Sequence, residues 1–70
     1  MTKLQAEIIV ALADNSMNVS HTAKKIFMSR SAVNYHLRRI RQTTGKNPTD
    51  FYDMRDLLPV AQDILHGAEI

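Results

Sequence analysis

Seventy residues, 8.0 kDa, leave room for one small domain, and a chain of that size buries only about 60% of its extended surface. Cysteine is absent, which excludes a disulfide framework, a thiolate zinc site and a cysteine nucleophile. The net charge of +2 is small, yet it hides a strong segregation. The segment between Asn15 and Pro48 holds seven basic residues (Lys24, Lys25, Arg30, Arg38, Arg39, Arg41 and Lys46) and no acid, so it carries +7 and the flanks carry −5. A basic surface facing a polyanion has this footprint, and so does a merely solvated charged face.

The longest unbroken apolar run, Ile8 to Ala13, is six residues, against the roughly 20 that a bilayer span needs. Gln5 and Glu7 interrupt the stretch after Lys3, so no signal peptide is expected. These limits describe one cytoplasmic domain over 1–70, with no membrane span, no large catalytic pocket and no small-molecule ligand.

No segment alternates apolar and polar residues as a strand does, and helical spacing recurs throughout. Thr2 followed by Gln5 fits a capping box. Leu4, Ile8, Ala11 and Leu12 then form one stripe, so a first helix is predicted over 3–14. Asp14 to Asn18 is a polar break, and Asn18 caps a second helix over 19–26 with Val19, Ala23 and Ile26 inward. After the turn Phe27-Met28-Ser29, Ser29 caps a third helix, about 30–44, with Val33, Leu37, Ile40 and Thr44 on one face. Gly45 and Pro48 stop it.

A last segment over 54–65 places Met54, Leu57, Leu58, Ala61, Ile64 and Leu65 on an apolar face, with Asp53 and Asp56 favouring its start. Pro59 leaves two readings. Either one helix is kinked there, or a turn ends at Leu58 and a new helix begins at Pro59. The fold class is therefore all-α, a small bundle of four or five helices. Residues 68–70 read as a tail.

Two helices joined by three residues, the first with a small residue mid-face, make a helix-turn-helix over 19–44, with Ala23 at the crossing. At about 100° per residue, the stripe Val33–Leu37–Ile40 leaves Ser31, Tyr35, Arg38 and Gln42 on the opposite face, with Asn34 on its flank. None of these is acidic, as a surface held against phosphates requires. The second helix of such a pair lies in the major groove of double-stranded DNA.

The segment Val19 to Ile40 resembles the C-terminal helix-turn-helix of PucR-type regulators, which include the sugar-diacid utilisation regulators. It is more distantly similar to the DNA-binding domain of the Fis nucleoid protein. The matching residues are Thr22-Ala23, Ile26-Phe27, Arg30, Tyr35, Leu37-Arg38-Arg39-Ile40 and Thr44-Gly45, and the likeness runs from about Leu4 to Leu65. The resemblance implies a bacterial, nucleoid-associated transcription regulator whose DNA-binding end, the C-terminal part of a larger chain, is this domain. The family usually shows Asn-Thr at Ser31-Ala32 and arginine at Asn34 and His36, so this recognition helix carries two fewer charges. His21 stands where the second helix usually has an acidic capping partner, and Phe27 where many helix-turn-helix proteins have a turn glycine.

Ten residues are candidates for DNA contact. Arg30 suits a phosphate or a guanine edge, Asn34 an adenine, and Tyr35 a thymine methyl or a phosphate. Arg38 tracks phosphate from the same face, while Arg39, like Arg41, lies nearer the core edge and either braces the backbone or keeps the helix soluble. Ser20 and His21 sit at the positive end of the second helix, where free amides hold a phosphate, and Lys24 is a generic phosphate partner. Ser29 and Ser31 complete the set at the start of the recognition helix. His21, His36 and His66 lie on separate elements, so no metal site is expected, and no cofactor is implied. Nothing suggests a nucleophile turn, so no enzymatic activity is expected. Met17, Met28 and Met54 read as core fillers.

Sequence-specific binding by a homodimer is the first reading, because one such module covers too little DNA for tight selective binding. A protein-interaction module docking through the acidic last helix, and a Fis-like architectural DNA binder, are the alternatives.

Overall fold

A computed structural model describes residues 1–67, and the tail expected over 68–70 lies outside the described residues. Its four helices are α1 (Lys3–Asp14), α2 (Val19–Lys25), α3 (Arg30–Thr44) and α4 (Phe51–Leu65). Each begins at a side chain that satisfies an amide otherwise left without a partner. Thr2 and Gln5 cap α1 reciprocally, both bonds 3.1 Å. Asn18 Oδ1 accepts the His21 amide (2.8 Å), Ser29 Oγ the Ala32 amide (3.0 Å) and Asp50 Oδ2 the Asp53 amide (3.0 Å). Such caps contribute about 1 kcal/mol each.

Helix α1 is central: it packs against α2, α3 and, most extensively, α4. The core joins Ile8, Ile9 and Leu12 of α1 to Ala23 of α2, to Val33, Leu37 and Ile40 of α3, and to Met54, Leu57 and Ala61 of α4. Ala23 is 4% exposed, so a larger side chain there has nowhere to go. Ala23→Leu is expected to cost about 1–3 kcal/mol by overfilling, read as a lowered midpoint in urea. Beside it Thr22 is fully buried, and its hydroxyl donates to the Asn18 carbonyl at 2.7 Å.

Three expectations are corrected. The buried side of α1 is turned toward Ala6 and Ile9, both fully buried, while Leu4 is exposed and Ala11 only partly covered. The run Ile8 to Ala13 is apolar on nearly every side, so periodicity alone did not fix which arc faces the bundle. Thr44 is exposed rather than core, its hydroxyl donating back to the Ile40 carbonyl at 2.6 Å. Helix α4 starts at Phe51 and not at 54, because Asp50, rather than Asp53 or Asp56, is the cap.

Pro59 lies inside α4, which runs unbroken to Leu65, so the bundle has four helices among the described residues. Pro59 and the residue four before it, Arg55, are both exposed, which leaves the unpaired Arg55 carbonyl on the hydrated side. Replacing this proline restores a backbone bond. Pro59→Ala is expected to stabilise the domain by roughly 1–2 kcal/mol, after the entropy it returns to the unfolded chain, and to raise Tm by several degrees.

Candidate nucleic-acid interface

The turn between α2 and α3 sets the angle of the pair. Ile26 closes α2, Phe27 donates its amide to the Lys24 carbonyl (3.3 Å), and Met28 donates to the Ala23 carbonyl (3.0 Å). This Schellman pattern requires a left-handed residue at Phe27, and its φ is +59°. A glycine adopts that conformation freely, whereas phenylalanine bears a cost of about 1 kcal/mol. The side chain gains nothing in return from the core, being 96% exposed. Met28 turns inward instead and, with Ile26, packs against the core cluster.

Helix α3 hides Val33 and Ile40 completely and leaves Leu37 only 6% exposed. Its opposite side is open: Ser31, Asn34, Tyr35, Arg38 and Arg39 are all exposed. The Tyr35 ring packs edge-on against His36, with centroids 5.2 Å apart. No ion pair engages Arg38 or Arg39 among the described residues, so both cations remain available to an external anion.

The start of the pair is also assembled. Arg30 Nη1 donates to Ser20 Oγ at 3.1 Å, tying the first turn of α3 to that of α2. Lys24 and His21 are exposed beside them. The expectation that free amides at the start of α2 hold a phosphate is corrected in part, because the His21 amide is already given to Asn18. Ser29 uses one lone pair of its oxygen on the Ala32 amide and keeps its hydroxyl hydrogen to donate outward. Lys46, counted in the basic segment, is neutralised by Asp56 at 3.3 Å, a surface pair worth at most about 1 kcal/mol.

One group of residues lay outside the candidate set. Arg41, Asn47 and Thr49 join Asn34, Leu37 and Arg38 around a cleft of about 270 Å³ between α3 and the loop leading to α4. The sequence reading sets Arg38 on the outer face and Arg41 nearer the core edge, and only the folded loop brings Asn47 and Thr49 to both.

A short capped helix crossing a longer one whose outer face is cationic and free of acids defines a helix-turn-helix domain, the DNA-binding class of helix pair. The family model for the PucR C-terminal helix-turn-helix domain matches residues 5–58, more than half of the chain, and the chain belongs to that family. No curated protein and no solved structure matches it. No helix among the described residues is long and apolar enough to cross a membrane.

Proposed function

We propose that this domain reads specific sequences of double-stranded DNA as part of a bacterial transcription regulator, with α3 in the major groove. The observation that carries the reading is the two-sidedness of α3: Val33, Leu37 and Ile40 are buried, and Ser31, Asn34, Tyr35 and Arg38 are exposed with no acid among them. Asn34 and Tyr35 read base edges, Arg30 and Arg38 hold phosphates, and Ser20, by bonding Arg30, keeps that guanidinium at the mouth of the pair. Lys24, His21, Ser29, Ser31 and Arg39 frame the contact from either side. The domain binds rather than catalyses, acts in the cytoplasm on the nucleoid, and needs no cofactor.

A homodimer on a repeated or palindromic site supplies the surface that one module lacks. Support for it lies on α4, where Phe51 is 63% exposed, Tyr52 64% and Val60 50%. The same aromatic pair favours the alternative of a protein-interaction module. Selection of bound duplexes from a random pool separates the readings. Enrichment of one motif is expected; uniform recovery points to architectural binding, and no recovery at low salt points to the interaction module. Asn34→Ala or Tyr35→Ala is expected to lower discrimination at one or two base positions by about 1–3 kcal/mol while leaving the melting curve in place.

A further inference from the structure

The cleft beside α3 is built from groups that favour an anion. Arg38 and Arg41 reach it from successive turns of α3, and Asn34 flanks them. Neither guanidinium meets a carboxylate among the described residues, and neither makes an internal hydrogen bond there. Leu37, 6% exposed, is the apolar member of the lining.

The opposite wall is a loop held at several points. Gly45 ends α3 at φ +75° and donates to the Arg41 carbonyl at 2.9 Å. Lys46 pairs with Asp56, Pro48 is buried, and the Asn47 amide donates to Asp53 Oδ2 at 2.9 Å. The Asn47 side chain is oriented as well. Its Oδ1 accepts both the Thr49 amide (3.1 Å) and the Thr49 hydroxyl (2.8 Å), so its Nδ2 group is the end left to donate. No carboxylate is among the lining residues, and Asp53 and Asp56 are occupied by the loop instead.

Two guanidiniums without an internal partner on one wall and one oriented amide donor on the other suit a tetrahedral phosphate oxyanion. We propose that this cleft clamps one phosphodiester of the DNA strand bordering the groove that α3 enters, with Arg38 and Arg41 on one side and Asn47 Nδ2 on the other. The proposal rests on the DNA-binding reading. It adds Arg41 and Asn47, which the helix-turn-helix alone does not call for, and gives the loop after α3 a part in recognition.

The test is fluorescence anisotropy of a labelled duplex across a salt series, for the whole chain and three variants checked by thermal melting. Arg41→Gln is expected to weaken binding about tenfold and to flatten the slope of log K against log salt by about 0.9, one phosphate contact. Asn47→Ala removes a neutral donor, so it is expected to weaken binding severalfold with the slope unchanged. Asn47→Asp keeps the acceptor that Thr49 needs and puts a negative charge in the cleft, so it is expected to lose more than Asn47→Ala.

Arg41→Gln and Asn47→Asp proteins that melt like the unaltered chain and fall on its salt line would overturn the clamp and leave the DNA reading standing. Absence of salt-dependent binding by the unaltered chain would overturn both. Titration with inorganic phosphate at fixed ionic strength is the second arm. Shifts of the Arg41 side-chain resonance by phosphate alone, with unchanged duplex affinity in Arg41→Gln, would assign the cleft to a free anion and overturn its assignment to DNA.

Discussion

Ile9→Ala is expected to remove about 3 kcal/mol of stability, a large share of the roughly 4–10 kcal/mol that a chain of this length holds. Ile9 is fully buried on α1, the helix that every other helix touches, so truncation opens a cavity in the core. Small domains shift by several degrees per kcal/mol, and a fall in Tm of roughly 10 °C or more follows. The matched control is Leu4→Ala. Leu4 is 41% exposed and is expected to cost no more than about 1 kcal/mol. Thermal melts of the two variants, read by circular dichroism, check which arc of α1 faces the bundle. Equal losses would put the buried side back on the stripe through Leu4.

Arg38→Ala is expected to weaken binding to every duplex by roughly tenfold, and by the same factor whatever the sequence, because a phosphate contact carries no base information. Of the seven central cations, Lys46 is paired with Asp56 and six remain. With about 0.9 per neutralised phosphate, the slope of log K against log salt is bounded near roughly −5 per monomer. Removing Arg38 is expected to take about 0.9 from the measured value. Arg38 sits at the junction of the outer face and the cleft, so its loss disturbs both sides of the contact at once. The salt series on specific and scrambled duplexes checks this. Loss of affinity on the specific duplex alone would make Arg38 a reader of bases instead.

How far the sequence discloses this molecule depends on where local chemistry decides the outcome. Helix α3 was legible at both ends, since Ser29 and Gly45 mark it and Val33, Leu37 and Ile40 recur on one face. The caps Thr2 and Asn18 were equally plain. The start of α4 was not, because Phe51 and Tyr52 face solvent and break the apolar rhythm, and Asp50 and Asp53 are equally good caps on paper. Pro59 was ambiguous for a different reason: whether a proline breaks a helix depends on whether the carbonyl it frees is hydrated, a tertiary fact.

Of the ten candidate residues, the spacing of α3 places Ser31, Asn34, Tyr35 and Arg38 on or beside the face opposite the core stripe, while the rest come from the ends of the helix pair and the core edge; all ten are exposed. The side cleft was not legible, because it exists only once Pro48 is buried and Asp53 draws the Asn47 amide toward α4. Nor does local sequence reveal the bond from Arg30 to Ser20, ten residues away.

The central claim is that the exposed face of α3 is the surface that meets DNA. Amide and side-chain chemical shifts of the whole chain, followed during titration with a short duplex, test it most directly. The largest changes are expected at Arg30, Ser31, Asn34, Tyr35 and Arg38, with Asn47 shifting beside them and Leu57 to Leu65 of α4 unmoved. Changes confined to Phe51, Tyr52 and the rest of α4, with Tyr35 and Arg38 unaffected, would contradict it.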